Sequence, residues 1–174
     1  MAVMPVLHWP DPRLKAEAAP VEAFDDDLAR LVEDMFDTMY DEGGVGLAAT
    51  QVGVARRVLV MDCGVEDDPR RRVLINPEIV HHEGQLVWPE GCLSFPGIRA
   101  EIERSAKLTV RGRDVDGGAV EFSAEGLEAV CVQHEIDHLD GVVFIEHLGA
   151  IERAHAMEGY DPEGGREKAD DDDA

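Results

Sequence analysis

Residues 133–138 read Gln-His-Glu-Ile-Asp-His, which sets two imidazoles four positions apart around a carboxylate. On a helix such residues share a face, so His134 and His138 can reach one ion. Glu135 follows the first histidine directly. There it flanks an ion rather than binding it, and it can accept a proton from a water alongside. A lone buried histidine more often hydrogen-bonds the backbone. Two histidines with a glutamate between them, on an apolar helix, favour a metal centre. A hydrolytic ion usually takes three protein ligands and leaves a position for water. Downstream, Glu146, His147, Glu152 and His155 form no recognisable third-ligand pattern. Upstream, Cys92 stands in Glu90-Gly91-Cys92-Leu93-Ser94, which reads as a glycine-containing turn after a stop at Trp88-Pro89. Its thiolate suits a first-row metal. The other reading of Cys92 is a small buried hydrophobe, and for Cys63 that is the better one. Cys131 faces neither histidine by helical spacing, which makes it core or pocket wall.

The elements that must carry these groups are legible in outline. Three aspartates, Asp25 to Asp27, precede Leu28, Leu31, Val32, Met35, Phe36 and Met39 at spacings of three and four, the pattern of an amphipathic helix. Its acidic start suits the helix dipole, and Gly43-Gly44 ends it. Residues 44–51, Gly-Val-Gly-Leu-Ala-Ala-Thr-Gln, are too rich in glycine for ordinary helix or strand. Strands are expected over 57–62, 85–88 and 107–112. An extended segment interrupted at Asn76-Pro77 is expected over 73–80. Gly117-Gly118 turns the chain into 119–123. A buried helix follows at Leu127 to Leu139, apolar on most faces and stopped by Asp140-Gly141. A short strand at 142–145 and a last helix at 149–157 complete the body. The order of elements lacks a βαβ rhythm and favours an α+β fold.

Length fits one domain with its own core, placed at 1–158. With 44% apolar residues that body is globular. From 159 to 174 the composition turns to Gly, Pro and charge and ends in four aspartates, which reads as a disordered acidic tail. The net charge of -22 argues against direct nucleic-acid or anionic-lipid binding. It fits a well-solvated surface, and with only three lysines it also fits a salty cytoplasm. No apolar run is long enough to span a membrane, and residues 1–12, with three prolines, lack the make-up of a signal or transit peptide. Three widely spaced cysteines suggest no disulfide framework. A cytoplasmic enzyme is the expectation.

Three segments together resemble the peptide deformylase family: Gly44 to Gln51 (G-x-G-x-A-A-x-Q), Glu90 to Ser94 (E-G-C-L-S) and Gln133 to His138 (Q-H-E-x-D-H). They stand intact and in family order, and the resemblance runs from about Pro5 to Leu148. It implies antiparallel sheets wrapped around a central metal-binding helix. It implies hydrolysis of the formyl amide on N-formylmethionyl nascent polypeptides, with release of formate. By motif position Cys92, His134 and His138 bind the metal and Glu135 is the acid/base. Gln51 and the Leu93 N–H receive the oxyanion. The family's usual metal is Fe(II), and Zn(II), Ni(II) and Co(II) forms are known. A weak association with the ribosome is the remaining partner implied, though the acidic end would repel RNA.

The cleft walls can be sketched too. Gly44 and Gly46 let a peptide backbone approach edge-on, and Glu90 and Gly91 are further candidates for substrate contact. Val45, Val130 and Cys131 are candidates for the pocket taking the methionine side chain. Arg99 either holds a peptide carbonyl or is a plain surface charge. Asp137 is read as a packing contact rather than a ligand. An endopeptidase built on the same helix would need a long open cleft and would cleave unformylated peptides. A non-catalytic binder would be expected to lack Glu135 or Gln51.

Overall fold

A computed structural model describes residues 2–164. The aspartates of 170–173 lie outside the described residues. Helix α1 (Asp26–Asp41) is capped by the Asp25 carboxylate, which accepts from the Leu28 N–H at 3.0 Å, a bond that stabilises a helix by about 1 kcal/mol. At its other end Gly43 takes φ +70° and the Gly44 N–H donates back to Met39 O at 2.9 Å. That left-handed turn is why glycine stands there.

The chain then forms β1 (Gly46–Ala48), β2 (Val58–Asp62), β3 (Arg71–Glu83), β4 (Leu86–Gly91), β5 (Arg99–Arg104), β6 (Lys107–Arg113) and β7 (Ala119–Glu125). Helices α2 (Leu127–Leu139) and α3 (Ala150–Ala156) follow. Five strands form an antiparallel sheet in the order β1-β2-β3-β6-β7, and β4 and β5 make a separate hairpin. Strand β2 is buried on both faces. Val58 and Val60 pack with Leu28, Met35 and Met39 of α1, whereas Leu59 and Met61 pack with Val132, Ile136 and Leu139 of α2. Alternation along one strand thus clamps both helices to the sheet. The expected α+β architecture, with sheets around a buried helix, is the one observed.

Several local expectations are corrected. β3 does not break at Asn76-Pro77. It bulges there, with Asn76 at φ +52°, and continues to Glu83. Asn76 is held by its own amide, which accepts from Val21 N–H at 2.8 Å and donates to Val21 O at 3.0 Å. Pro89 does not stop β4, because the proline lies in a two-stranded ribbon with a free edge. Glu90 and Gly91 are therefore strand residues, not turn. The glycine-rich segment does form a short strand, β1, on the edge of the large sheet. Residues 144–147 are a 3-10 turn where a strand was expected. Just past Gly159, Tyr160 is still packed: it joins a third apolar cluster with Trp9, Phe95, Ile102 and Phe144.

Candidate active site

The 13 residues of α2 place His134 and His138 one turn apart, both buried. Their Nε2 atoms lie 3.2 Å from each other, and Cys92 Sγ lies 3.3 Å from His138 Nε2. One ligand atom from each residue falls within 4.8 Å of the other two. The tautomers follow from the surroundings. Glu90 Oε1 sits 2.8 Å from His134 Nδ1 and so accepts its proton, which makes Nε2 the nitrogen that faces His138 and Cys92. Burial pushes His138 well below the usual histidine range, and the neighbouring His134 adds to this, so its ring is neutral. Burial alone would lower His134 as well, but the Cys92 sulfur and Glu90 overcome it and favour positive charge there. Two imidazole nitrogens and a sulfur thus converge where the surroundings favour positive charge. The donor set fits a divalent first-row ion.

Glu135 points into the same cleft. It is 4% exposed, and its Oε2 has no hydrogen-bond partner among the described residues. Burial pushes its carboxyl up to about 7, against the pull of His134. Gln51 sits on a 3-10 turn after β1. Its Oε1 accepts from Ala48 N–H at 2.9 Å, which fixes the amide so that Nε2 faces Ser94 Oγ (3.1 Å) and Cys92 Sγ (3.7 Å). The Leu93 N–H donates no backbone hydrogen bond among the described residues.

These groups line a cleft of about 590 Å³ together with Gly44, Val45, Gly46, Glu90, Gly91, Arg99, Val130 and Cys131. Every cleft-wall residue named from the sequence is on its surface, whereas His138 lies behind it, fully buried. Gly46 is required by close approach: a β-carbon there would stand 2.6 Å from Cys131 Sγ and 2.9 Å from Glu135 Oε1. Asp137 takes no part in the ion cluster. Its Oδ2 accepts from Arg104 Nη1 at 2.6 Å and lies 2.8 Å from His147 Nε2.

Sequence reasoning missed Arg104, which is 6% exposed. Its Nε and Nη2 donate to the two Glu90 oxygens at 2.8 and 2.9 Å, a bidentate pair directly behind His134. Burial pushes Glu90 up, but the bonds from Arg104 and His134 win and hold it down at about 2. The signal was the alternation in Ala100 to Arg104, where Ile102 and Arg104 share the inward face of β5.

Two imidazoles and a cysteine sulfur around one point, with a carboxylate oxygen that has no partner among the described residues beside them in the cleft, define a metallohydrolase. The sequence pattern of the polypeptide deformylase family matches residues 3–154. A peptide deformylase of Alkalilimnicola ehrlichii is 53% identical over 153 residues, 88% of this chain and 86% of that protein. One from Chromobacterium violaceum is 51% identical over 153 residues, 88% of this chain and 91% of that protein. The crystal structure of a peptide deformylase from Legionella pneumophila superposes with a TM-score of 0.86 at 46% identity, covering 90% of this chain and 92% of that one. The chain belongs to the polypeptide deformylase family. Its reaction is hydrolysis of the formyl amide on N-terminal formylmethionine, with release of formate.

Proposed function

We propose that Cys92, His134 and His138 hold one Fe(II) ion, that Glu135 moves the protons, and that Gln51 and the Leu93 N–H stabilise the developing oxyanion. The observation that carries this reading is the convergence of three ligand atoms within 4.8 Å beside a buried carboxylate oxygen without a partner. When bound, the ion supplies Lewis acidity that makes water a better nucleophile near neutral pH.

The remaining work falls to the chain. Glu135 accepts the proton of the attacking water and returns it to the departing amine nitrogen. As the formyl carbon becomes tetrahedral its oxygen turns negative. Gln51 is suited to that charge because its orientation is already fixed by Ala48 N–H, so no reorganisation is needed during reaction. Gln51→Ala should therefore lower kcat by about 10²-fold with little change in metal content, since loss of one such donor costs on the order of 3 kcal/mol. Formate release at saturating formyl-Met-Ala-Ser measures it, and a kcat within twofold of the parent removes Gln51 from this role. An unformylated peptide of the same sequence should not be cleaved.

Val130 and Cys131 with Val45 form the side of the cleft suited to the methionine side chain. Gly44 and Gly46 of β1 and Glu90 and Gly91 of β4 border the path of the peptide backbone. Arg99 pairs across from Gly91 and extends that path outward, where it can meet a carbonyl of the nascent chain. A thiolate donates more electron density than a third imidazole and weakens the ion as a Lewis acid, which favours iron over zinc. Ferrous iron beside a thiolate is prone to oxidation. Activity of an anaerobic iron preparation should fall in air and return with Ni(II) or Co(II); full activity after prolonged air exposure would exclude iron.

No helix of the described residues is long and apolar enough to cross a membrane. A cytoplasmic location agrees with that and with a substrate emerging from the ribosome. Association with the ribosome itself would be weak, because the chain's net charge of -22 opposes contact with RNA.

A further inference from the structure

The loop that carries Cys92 leaves β4 at Gly91 and rejoins β5 at Arg99, so no strand pairing fixes it between those points. Two of its hydrogen bonds are internal: Phe95 N–H to Cys92 O (3.0 Å) and Ile98 N–H to Phe95 O (3.1 Å). Apart from the contacts of the Cys92 sulfur itself with His138 and Gln51, the loop's bonds to the rest of the chain converge on Ser94. The Ser94 hydroxyl takes the Gln51 amide, and the Ser94 carbonyl accepts Trp9 N–H at 2.8 Å. Residues 157–162 close over that junction. The Tyr160 hydroxyl donates to Trp9 O at 2.8 Å and lies 3.5 Å from Ser94 O. His8 Nδ1 lies 2.6 Å from Pro162 O.

The rings continue the contact inward. Phe95, 1% exposed, is stacked on Trp9 (centroids 5.4 Å apart) and lies 6.0 Å from Tyr160. Its edge meets Phe144 at 5.2 Å, and Phe144 lies 5.7 Å from the His134 ring. The segment expected to be loose thus reaches the ligand loop indirectly through Trp9, which it hydrogen-bonds, and directly by aromatic packing on Phe95.

We propose that Tyr160 is a positioning residue for catalysis: it straps the Trp9–Ser94 junction and thereby fixes the Cys92 sulfur and the Gln51 amide relative to the two histidines. The proposal rests on the reading of Cys92 as a ligand. The turn Cys92–Phe95 is closed by one hydrogen bond, so a shift of Ser94 or Phe95 is transmitted directly to Sγ. The same shift moves the Ser94 hydroxyl, which holds the Nε2 end of the Gln51 amide while Ala48 N–H holds the other. A displacement of this kind changes the reacting geometry more than substrate binding, because the cleft walls at β1 and β4 are set by strand pairing instead.

The experiment uses the full chain loaded with Co(II), whose sulfur-to-cobalt absorption band reports the Cys92 bond independently of turnover. Tyr160→Ala should lower kcat about tenfold with KM changed less than about twofold, and should shift or broaden that band. Tyr160→Phe keeps the ring and loses only the hydroxyl. It should fall between the parent and Tyr160→Ala in both readouts, with kcat down about threefold, the kinetic scale of one neutral hydrogen bond. A band unchanged in Tyr160→Ala, or a variant altered only in Tm or only in KM, overturns the proposal while leaving Cys92 a ligand. A parent protein with no sulfur-to-cobalt band removes Cys92 from the ligand set, and the proposal falls with it.

Discussion

Glu135→Ala should bind its cation as tightly as the parent and release formate about 10⁴-fold more slowly, the upper range for loss of a positioned general acid–base. The two parts of that result have separate origins. The proposed ligand atoms belong to Cys92, His134 and His138, so removing a neighbouring carboxylate leaves the donor set intact. The proton, by contrast, finds no other carboxylate of suitable basicity in the cleft among the described residues. Glu90 also lines it, but its carboxylate is engaged by Arg104 and His134 and held at about 2, so it is too weak a base. Glu135 is pushed up to about 7 by burial and carries an oxygen without a partner among the described residues. Formate release and metal analysis on the same preparation test both halves. Turnover within tenfold of the parent would show that another group carries the proton. Loss of the metal would show that Glu135 is a ligand.

The contrast between those two glutamates marks where the sequence was informative. Helix α2 was legible to the residue, because its apolar positions run from Leu127 to Leu139 and Asp140-Gly141 follows. The ion cluster was legible because residue type restricts its chemistry: few arrangements other than metal binding need two histidines one turn apart with a glutamate between. Glu90 was legible only as a member of a motif. Its task depends on Arg104, which is 14 residues away and separated from it by the ligand loop. Strand β5 was missed because Arg-Ala-Glu-Ile-Glu-Arg is mostly charged and carries the weak strand propensity of an exposed edge. A buried arginine announces itself only when its partner is known. The same holds for the last described residues. Their composition suggested a loose tail, yet one aromatic side chain, Tyr160, meets a cluster assembled from Trp9, Phe95 and Phe144. Local composition reports what a segment can bury, not what is waiting for it.

Arg104→Met should then be the most destabilising single change outside the apolar core. The guanidinium and the Glu90 carboxylate are only 4% and 3% exposed, and Asp137 takes a third bond from the same group. Removing one partner of such a pair leaves a buried carboxylate with only the His134 Nδ1–H as a partner, and breaking a buried pair costs about 3–5 kcal/mol. Chemical denaturation at neutral pH measures that loss. Metal affinity should also fall, by about 10–100-fold, because Glu90 would no longer be fixed as the acceptor for His134 Nδ1–H. The double change Glu90→Leu with Arg104→Met separates the two effects. It removes the orphaned charge and should recover most of the stability. It still leaves His134 Nδ1 without its acceptor, so metal affinity should stay low. An Arg104→Met protein with parental stability and parental metal affinity would mean that the ion pair is incidental to the site. Recovery of both properties in the double variant would mean that Glu90 orients nothing, and that the histidine is held by packing against Phe144 instead.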